Sequence, residues 1–131
     1  MAKTVLVDGS NAVHALFGPL PASHAEQDGI ARHFLSALSE WVKRQPPAVA
    51  AEVVFDGSFR QLRSPGADER LRLFFSDHAS ADAVILERIR AHRFNGRSVT
   101  VVTWDRALAQ AAVAEEARAI GPDQLWKWIK K

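Results

Sequence analysis

Residues 4–11 read Thr-Val-Leu-Val-Asp-Gly-Ser-Asn, and this stretch decides the fold of the 131-residue chain. Its first half is apolar and partly β-branched, which is typical of a buried strand, and its second half consists of turn formers. Apolar runs at 53–55 and 99–103 end in the same way, close to Asp56 and Asp105. Because these runs are continuous rather than alternating, they predict strands covered on both faces, as in a parallel sheet.

Helical patterns lie between the strands and set the fold class. Weaker strands are predicted at 71–75 and 117–120, and helices at 30–42, 82–92, 105–117 and 122–131. Alternating strands and helices predict the α/β class, with right-handed crossovers and helices on both faces of the sheet. The sequence therefore predicts a three-layer sandwich around a mainly parallel central sheet, formed by a single domain at 1–131.

The composition is that of an ordinary globular domain, and it excludes several kinds of site. Apolar residues make up 47% of the chain and charged residues 24%, which argues against disorder. The chain has no cysteine, so disulfides, thiolate metal sites and cysteine nucleophiles are excluded. Its net charge of +2 permits a nucleic-acid partner without requiring one. No apolar run reaches the roughly 18 residues of a membrane span and no signal peptide precedes the first strand, so we expect a cytoplasmic location and no membrane partner.

Four aspartates fall where a parallel sheet binds its ligands. Asp8, Asp56 and Asp105 follow three separate strands, and Asp82 falls in the first turn of a predicted helix. Ligands of an open parallel sheet bind at the carboxyl ends of its strands, so we expect these side chains at one edge. Each aspartate taken alone is also a common helix cap, but capping does not require aspartate at all four places. Clustered carboxylates repel one another unless a cation lies between them, and oxygen ligands favour Mg²⁺ or Mn²⁺, so the set predicts a metal site.

Other phosphate-binding motifs are absent from the sequence. No Gly-x-Gly-x-x-Gly follows a strand and no Gly-Lys-Ser/Thr occurs, which weighs against dinucleotide-binding and P-loop enzymes. A phosphatase of the haloacid-dehalogenase type requires a second aspartate two residues after Asp8, where this chain has Ser10. The acidic set therefore remains the main candidate for chemistry.

The four acidic segments occur in an order that resembles a known family. Asp-Gly-Ser-Asn at 8–11, Phe-Asp-Gly at 55–57, Ala-Asp at 81–82 and Thr-Trp-Asp at 103–105 are similar to the motifs of the NYN domain family, and within it of the YacP-like branch. This branch belongs to the PIN-like nuclease superfamily, and the resemblance covers nearly the whole chain. It implies a Rossmann-like, PIN-like sheet, a metal site of clustered aspartates and metal-dependent endoribonuclease activity.

The resemblance also implies roles for individual residues. Asp8 corresponds to the central metal ligand, and the other three aspartates correspond to further ligands, some of them acting through water. Asn11 is expected to orient the Asp8 carboxylate or a metal-bound water, and Thr103 to support Asp105 or to contact phosphate. The implied catalytic set is Asp8, Asp56, Asp82, Asp105, Asn11 and Thr103, with the four aspartates as ligands of Mg²⁺ or Mn²⁺.

The chain departs from the family pattern at two positions beside this set. Ser10 stands where an aromatic residue is frequent, and Trp104 stands where a small polar residue is usual. Trp104 either stacks on an unpaired base or fills the gap between a helix and the sheet, and we favour the gap-filling role.

Substrate contacts require positive charge beside the acidic set. Arg60 and Arg63, after the second strand, and Arg106, beside Asp105, are the candidate phosphate-binding residues, with Ser10 as a further substrate contact. The expected partner is RNA, whether single-stranded, messenger or ribosomal, and the ribosome or an RNA-processing factor is a further candidate partner. Two alternatives stay open: a non-catalytic RNA-binding or adaptor module on the same fold, and a nucleotide phosphohydrolase.

Overall fold

A computed structural model describes residues 2–19, 21, 23–56, 59, 62, 70–76 and 80–131. Within these residues strands and helices are mixed along the chain. In order, the elements are β1 (Lys3–Asp8), α1 (Gly9–Phe17), α2 (His24–Arg44), β2 (Val49–Asp56), β3 (Leu71–Ser76), α3 (Ala81–Phe94), β4 (Ser98–Val102), α4 (Arg106–Ala114), β5 (Arg118–Ile120) and α5 (Pro122–Lys130). None of these helices is long and apolar enough to cross a membrane.

The five strands form one parallel sheet in the order β3-β2-β1-β4-β5. Strand β1 is central, and its Lys3 pairs with Val49 of β2 on one side and with Ser98 of β4 on the other. The chain moves outward from β1 to β3 and then crosses back to β4, so the direction of winding reverses between β1 and β4. This reversal is the point at which open parallel sheets bind their ligands, and it brings the ends of β1 and β4 together.

Helices cover both faces of the sheet, and the central strand explains why. Val5 and Val7 of β1 belong to the core under α1, α2 and α5, whereas Leu6 belongs to the core under α3 and α4. All three side chains are fully buried. Because both faces of β1 are covered, its sequence is continuously apolar, and the predicted α/β three-layer architecture with a parallel sheet is confirmed.

Helix α1 is the element that the apolar pattern did not predict. It begins at Gly9, directly after β1, in a stretch whose glycine, serine and asparagine are turn formers. A Cβ atom at Gly9 would lie 2.7 Å from Cγ1 of Val53 and 2.8 Å from the ring of Phe55. The missing side chain therefore lets α1 start tightly against β2, and this contact sets where the residues of the 8–11 motif point.

Candidate active site

Asp8 lies at the centre of the sheet edge, at the end of β1. It is only 6% exposed, and it stands immediately before α1 without making a side-chain capping hydrogen bond to that helix. Its Oδ2 atom instead accepts a hydrogen bond of 3.1 Å from the hydroxyl of Thr103. This contact ties the buried carboxylate to the residue that follows β4.

Thr103 joins the two strands that meet at the reversal of the sheet. It follows β4, it is 4% exposed, and its hydroxyl donates to Asp8. The same oxygen accepts a hydrogen bond of 3.1 Å from the backbone N–H of Asp105. Thr103 thus fixes the Asp8 carboxylate and the backbone of Asp105 relative to each other.

Asp105 and Asp82 stand at the starts of two helices on the same side of the sheet. Asp105 caps α4, because its Oδ1 atom accepts a hydrogen bond of 3.1 Å from the backbone N–H of Leu108. Asp82 lies in the first turn of α3, whose cap is Ser80 instead. Both aspartates are partly buried. The capping role is therefore real for Asp105 and is not needed from Asp82.

The charges of three aspartates interact. The pKa of Asp8 is raised from 3.8 to about 6, first by burial and then by the negative charges of Asp82 and Asp105. The Thr103 hydroxyl and the backbone N–H of Asn11 oppose it by favouring the ionised form. Burial, and then the charge of Asp105, also raise the pKa of Asp82 above 3.8. Burial and mutual repulsion therefore disfavour ionisation of these carboxylates, and a cation bound between them would offset both effects.

The carboxylates do not form a closed metal cage. Within the described ranges, no three side chains of aspartate, glutamate or histidine are grouped closely enough to hold one ion together. Asp8, Asp82 and Asp105 are near enough for their charges to interact but do not converge on one point. Among the described residues, the three carboxylates are thus close neighbours and not a ready-made cage.

Asp56 occupies a different part of the edge from the other three aspartates. It is exposed at the end of β2, and its backbone N–H donates a hydrogen bond of 3.2 Å to the hydroxyl of Ser10. The groups whose charges raise the pKa of Asp8 are Asp82 and Asp105. Asp56 instead lines a cavity of about 580 Å³, together with Ser10, Asn11, His14, Ala15, Phe59 and Trp104.

Asn11 and Trp104 connect the acidic edge to this cavity. The Oδ1 atom of Asn11 accepts a hydrogen bond of 2.9 Å from the backbone N–H of Trp104. Asn11 therefore holds the β4–α4 connection as well as contributing its backbone N–H at Asp8. Trp104 is 54% exposed, so the prediction that it fills a gap between a helix and the sheet is wrong.

The predicted substrate contacts are only partly within the described structure. Arg106 is exposed at the first position of α4, next to Asp105, and Ser10 lies in the cavity beside Asp56. Arg60 and Arg63 lie outside the described residues. The edge thus offers one described arginine for a phosphate contact.

His14 is a cavity residue that the sequence analysis did not select. It lies three and four residues after Asn11 and Ser10 on α1, and all three line the cavity. Residues at this spacing share a helix face, so an early prediction of α1 would have grouped them. His14 could therefore have been placed beside Ser10 and Asn11 only by predicting that residues 9–17 form a helix.

A second cavity, of about 400 Å³, lies away from the carboxylates. It is lined by Lys3, Trp41, Arg44, Gln45, Trp128 and Lys131. Lys3 and Asp8 are the two ends of β1, which places them about 17 Å apart along the strand. This basic cavity is therefore separate from the acidic edge.

Comparisons with known proteins agree with the resemblance of the motifs. The family model of the YacP-like NYN domain matches residues 5–131. No curated protein sequence matches the chain. The fold is similar to the solved structure of Rae1 (YacP) from Bacillus subtilis, with a TM-score of 0.71 and 19% sequence identity. The superposition covers 97% of this chain and 73% of the Rae1 chain. For a single-substitution mutant of that protein, the superposition covers 99% of this chain and 76% of the mutant chain, with a TM-score of 0.77 and 19% identity. At this level of identity the similarity shows the fold alone.

Proposed function

Because the chain belongs to the YacP-like NYN domain family, a nuclease-like family, we propose that it is a metal-dependent endoribonuclease. The observation that carries this proposal is the buried carboxylate of Asp8, which is raised in pKa and faces the charges of Asp82 and Asp105. It lies at the reversal of strand order, where open parallel sheets bind ligands. The proposed reaction is hydrolysis of RNA phosphodiester bonds at this edge.

The donor set fits Mg²⁺ or Mn²⁺ better than it fits zinc. The three interacting aspartates offer oxygen only, and Mg²⁺ characteristically binds one or two carboxylates while keeping several of its waters. Asp8 with Asp82 or Asp105 meets that requirement, whereas a cage of direct protein ligands is not needed. When bound, the cation would activate water for attack at phosphorus and stabilise charge on the leaving oxygen.

The residues around Asp8 have distinct parts in this proposal. Thr103 holds the Asp8 carboxylate in one orientation, and its contact with the backbone of Asp105 keeps the second carboxylate in register. Asn11 positions the connection that carries Asp105. Arg106 is the proposed phosphate contact, since it is exposed beside the cluster. Asp56 and Ser10, on the cavity side, are proposed to act on the substrate or through water.

The test is a comparison of the wild type with Asp8→Asn. We expect the wild type to cleave labelled single-stranded RNA with Mg²⁺ or Mn²⁺ and not with EDTA. We expect Asp8→Asn to lower the cleavage rate by at least about a hundredfold, because removing a metal ligand should cost more activity than removing a residue that only hydrogen-bonds to a ligand. Glu87→Gln makes the same charge change at an exposed position on α3 and should leave the rate unchanged.

Thermal unfolding gives a readout that does not depend on cleavage. A cation that binds the native state raises its midpoint of unfolding, so Mg²⁺ should stabilise the wild type and Glu87→Gln but not Asp8→Asn. If the wild type cleaves no RNA or single-stranded DNA and gains no stability from either metal, the proposal is wrong. Equal cleavage by wild type and Asp8→Asn would remove Asp8 from the site.

A non-catalytic RNA-binding module on the same fold is the second candidate. The observation in its favour is that no three acidic or histidine side chains of the described residues are grouped around one point. Such a module would bind RNA with or without Mg²⁺ and would leave it intact. The cleavage assay separates the two candidates directly.

A further inference from the structure

Trp104 is an exposed aromatic residue that is nevertheless held in one place. Its side chain is 54% exposed, and its indole Nε1–H donates a hydrogen bond of 3.3 Å to Oδ1 of Asp123. Its backbone N–H is bonded to Asn11. The ring also lies against Gly121, where a Cβ atom would come within 2.5 Å of Nε1. The indole is therefore held at the start of α5, and its backbone is held by α1, while much of the side chain faces solvent.

The position of this ring relates it to the acidic edge. Trp104 lies between Thr103, which donates to Asp8, and Asp105, whose charge acts on Asp8. Trp104 also lines the cavity of about 580 Å³. A group bound in that cavity would thus lie beside a phosphate held at the carboxylates.

The cavity combines a flat aromatic wall with polar groups around it. Trp104 provides the aromatic surface, and Ser10, Asn11 and His14 provide hydrogen-bonding groups. Proteins that bind single-stranded nucleic acid pair aromatic rings with bases in this way, because every base has a face that can stack. A base within a duplex has both of its faces covered by neighbouring bases and cannot enter such a cavity without unstacking.

We propose that Trp104 is the stacking surface for one unpaired RNA base next to the cleaved phosphate, and that the cavity of Ser10, Asn11, His14 and Trp104 receives that base. The proposal rests on the proposed ribonuclease function, and it makes the enzyme selective for single-stranded RNA. Trp104 is a substrate-binding residue in this scheme, and its part in the reaction is to position the strand.

The direct test is a double-mutant cycle that combines a substitution at Trp104 with removal of one base from the RNA. Fluorescence anisotropy measures binding of a short unstructured labelled RNA, and of copies with one abasic position, in the Asp8→Asn background so that no cleavage occurs. Trp104→Ala should weaken binding of the intact RNA on the order of tenfold to a hundredfold. For one abasic copy the same substitution should change binding little, because the stacking partner is already absent. Trp104→Phe should restore part of the affinity.

Two further variants leave Trp104 in the sequence, and one of them displaces its indole while the other keeps the indole in place. Gly121 has φ of −82°, which alanine adopts readily, and an added Cβ atom would lie 2.5 Å from both Nε1 of Trp104 and Oδ1 of Asp123. Gly121→Ala therefore displaces the indole together with its hydrogen-bond partner and should weaken binding as Trp104→Ala does. Asp123→Asn keeps the Oδ1 acceptor for the indole N–H and should bind RNA as the parent does. Circular dichroism and the midpoint of thermal unfolding check that each variant is folded.

The outcomes separate this inference from the proposed function. Unchanged binding by folded Trp104→Ala and Gly121→Ala overturns the stacking role, even if the wild type cleaves RNA. An equal loss for every abasic copy, or for duplex RNA, also overturns it. If the wild type cleaves nothing but the Trp104 effect disappears with one abasic position, the base site stands and the ribonuclease proposal fails.

Discussion

Asp8 places a negative charge in a buried position, and this arrangement lowers the stability of the folded protein. Folding raises the pKa of this carboxyl group from 3.8 to about 6, first through burial and then through the neighbouring aspartates. At neutral pH the native state therefore holds an ionised group whose ionisation costs more free energy than it does in the unfolded chain. A shift of this size corresponds to roughly 3 kcal/mol in the free energy of unfolding.

The first stability prediction is that Asp8→Asn is more stable than the wild type in metal-free buffer above about pH 6. Between pH 3.8 and about 6 the native Asp8 holds a proton that the unfolded chain has released, so the wild type gains stability as the pH falls through this window. The difference between the two proteins should therefore shrink towards about pH 4. Urea unfolding with EDTA at several pH values measures it.

Glu87→Gln again serves as the control for a lost carboxylate, because this residue is exposed. If wild type and Asp8→Asn show parallel profiles, the buried charge is not a source of instability. A residue that weakens the fold and is expected to be indispensable for cleavage is the pattern of a group kept for function and not for packing.

At the scale of elements, the contact between α1 and β2 depends on the absence of one side chain. A Cβ atom at Gly9 would meet Cγ1 of Val53 and the ring of Phe55 at 2.7–2.8 Å, and both neighbours are fully buried. We expect Gly9→Ala to lower the free energy of unfolding by about 1–3 kcal/mol, because the helix must move away from the strand. Urea unfolding of the variant measures this loss.

Gly29 provides the same substitution in open surroundings. It lies within α2, where the nearest atom to an added Cβ is Nη2 of Arg32 at 4.0 Å. Gly29→Ala should raise the free energy of unfolding by about 0.5–1 kcal/mol, because alanine restricts the unfolded chain and favours the helix. The two glycine-to-alanine substitutions are therefore expected to change the free energy of unfolding in opposite directions. A Gly9→Ala variant that is more stable than the wild type would contradict the tight contact between α1 and β2.

The elements differ in how well the sequence predicts them. Strand β1 is predictable because burial on both faces leaves a continuous apolar run. Helix α1 is not, because its first three residues favour turns and only Gly9, Ala12 and Val13 are buried. Its helical form comes from tertiary packing against β2, which no local pattern contains. Ser10, Asn11 and His14 were consequently not predicted to share one face.

At the scale of the whole molecule, strand order decides which site residues meet. The sequence predicts that Asp8, Asp56 and Asp105 follow strands, but it does not give the order of those strands. Because β4 lies next to β1, Thr103 reaches Asp8, and the charge of Asp105 acts there too. Asp56 comes from β2, on the other side of β1, and lies in the cavity with Ser10. Long-range pairing therefore limits what the motif spacing can predict.

An ionic network around the buried Glu52 joins the sheet to α3. Glu52 of β2 is 3% exposed and accepts hydrogen bonds of 2.9 and 2.7 Å from Arg88 of α3. His92 of the same helix places its Nε2 atom 2.9 Å from the Glu52 carboxylate. Burial alone would raise the pKa of Glu52, but the hydrogen bonds and charges of Arg88 and His92 hold it below 4.5. The network therefore favours the ionised form of this acid.

Glu52 and Asp8 should give the protein two opposite pH dependences. The stability from Glu52 is present above pH 4.5 and is lost as the pH falls through its lowered native pKa, whereas stability from Asp8 is gained as the pH falls from about 6. We therefore expect the metal-free wild type to be most stable between these values. Glu52→Gln leaves Arg88, whose side chain is 24% exposed, without its charged partner and should lower the free energy of unfolding by about 1–3 kcal/mol at neutral pH. Urea unfolding of the single and double variants tests this, and a wild-type stability that rises steadily from pH 4.5 to neutral would contradict it.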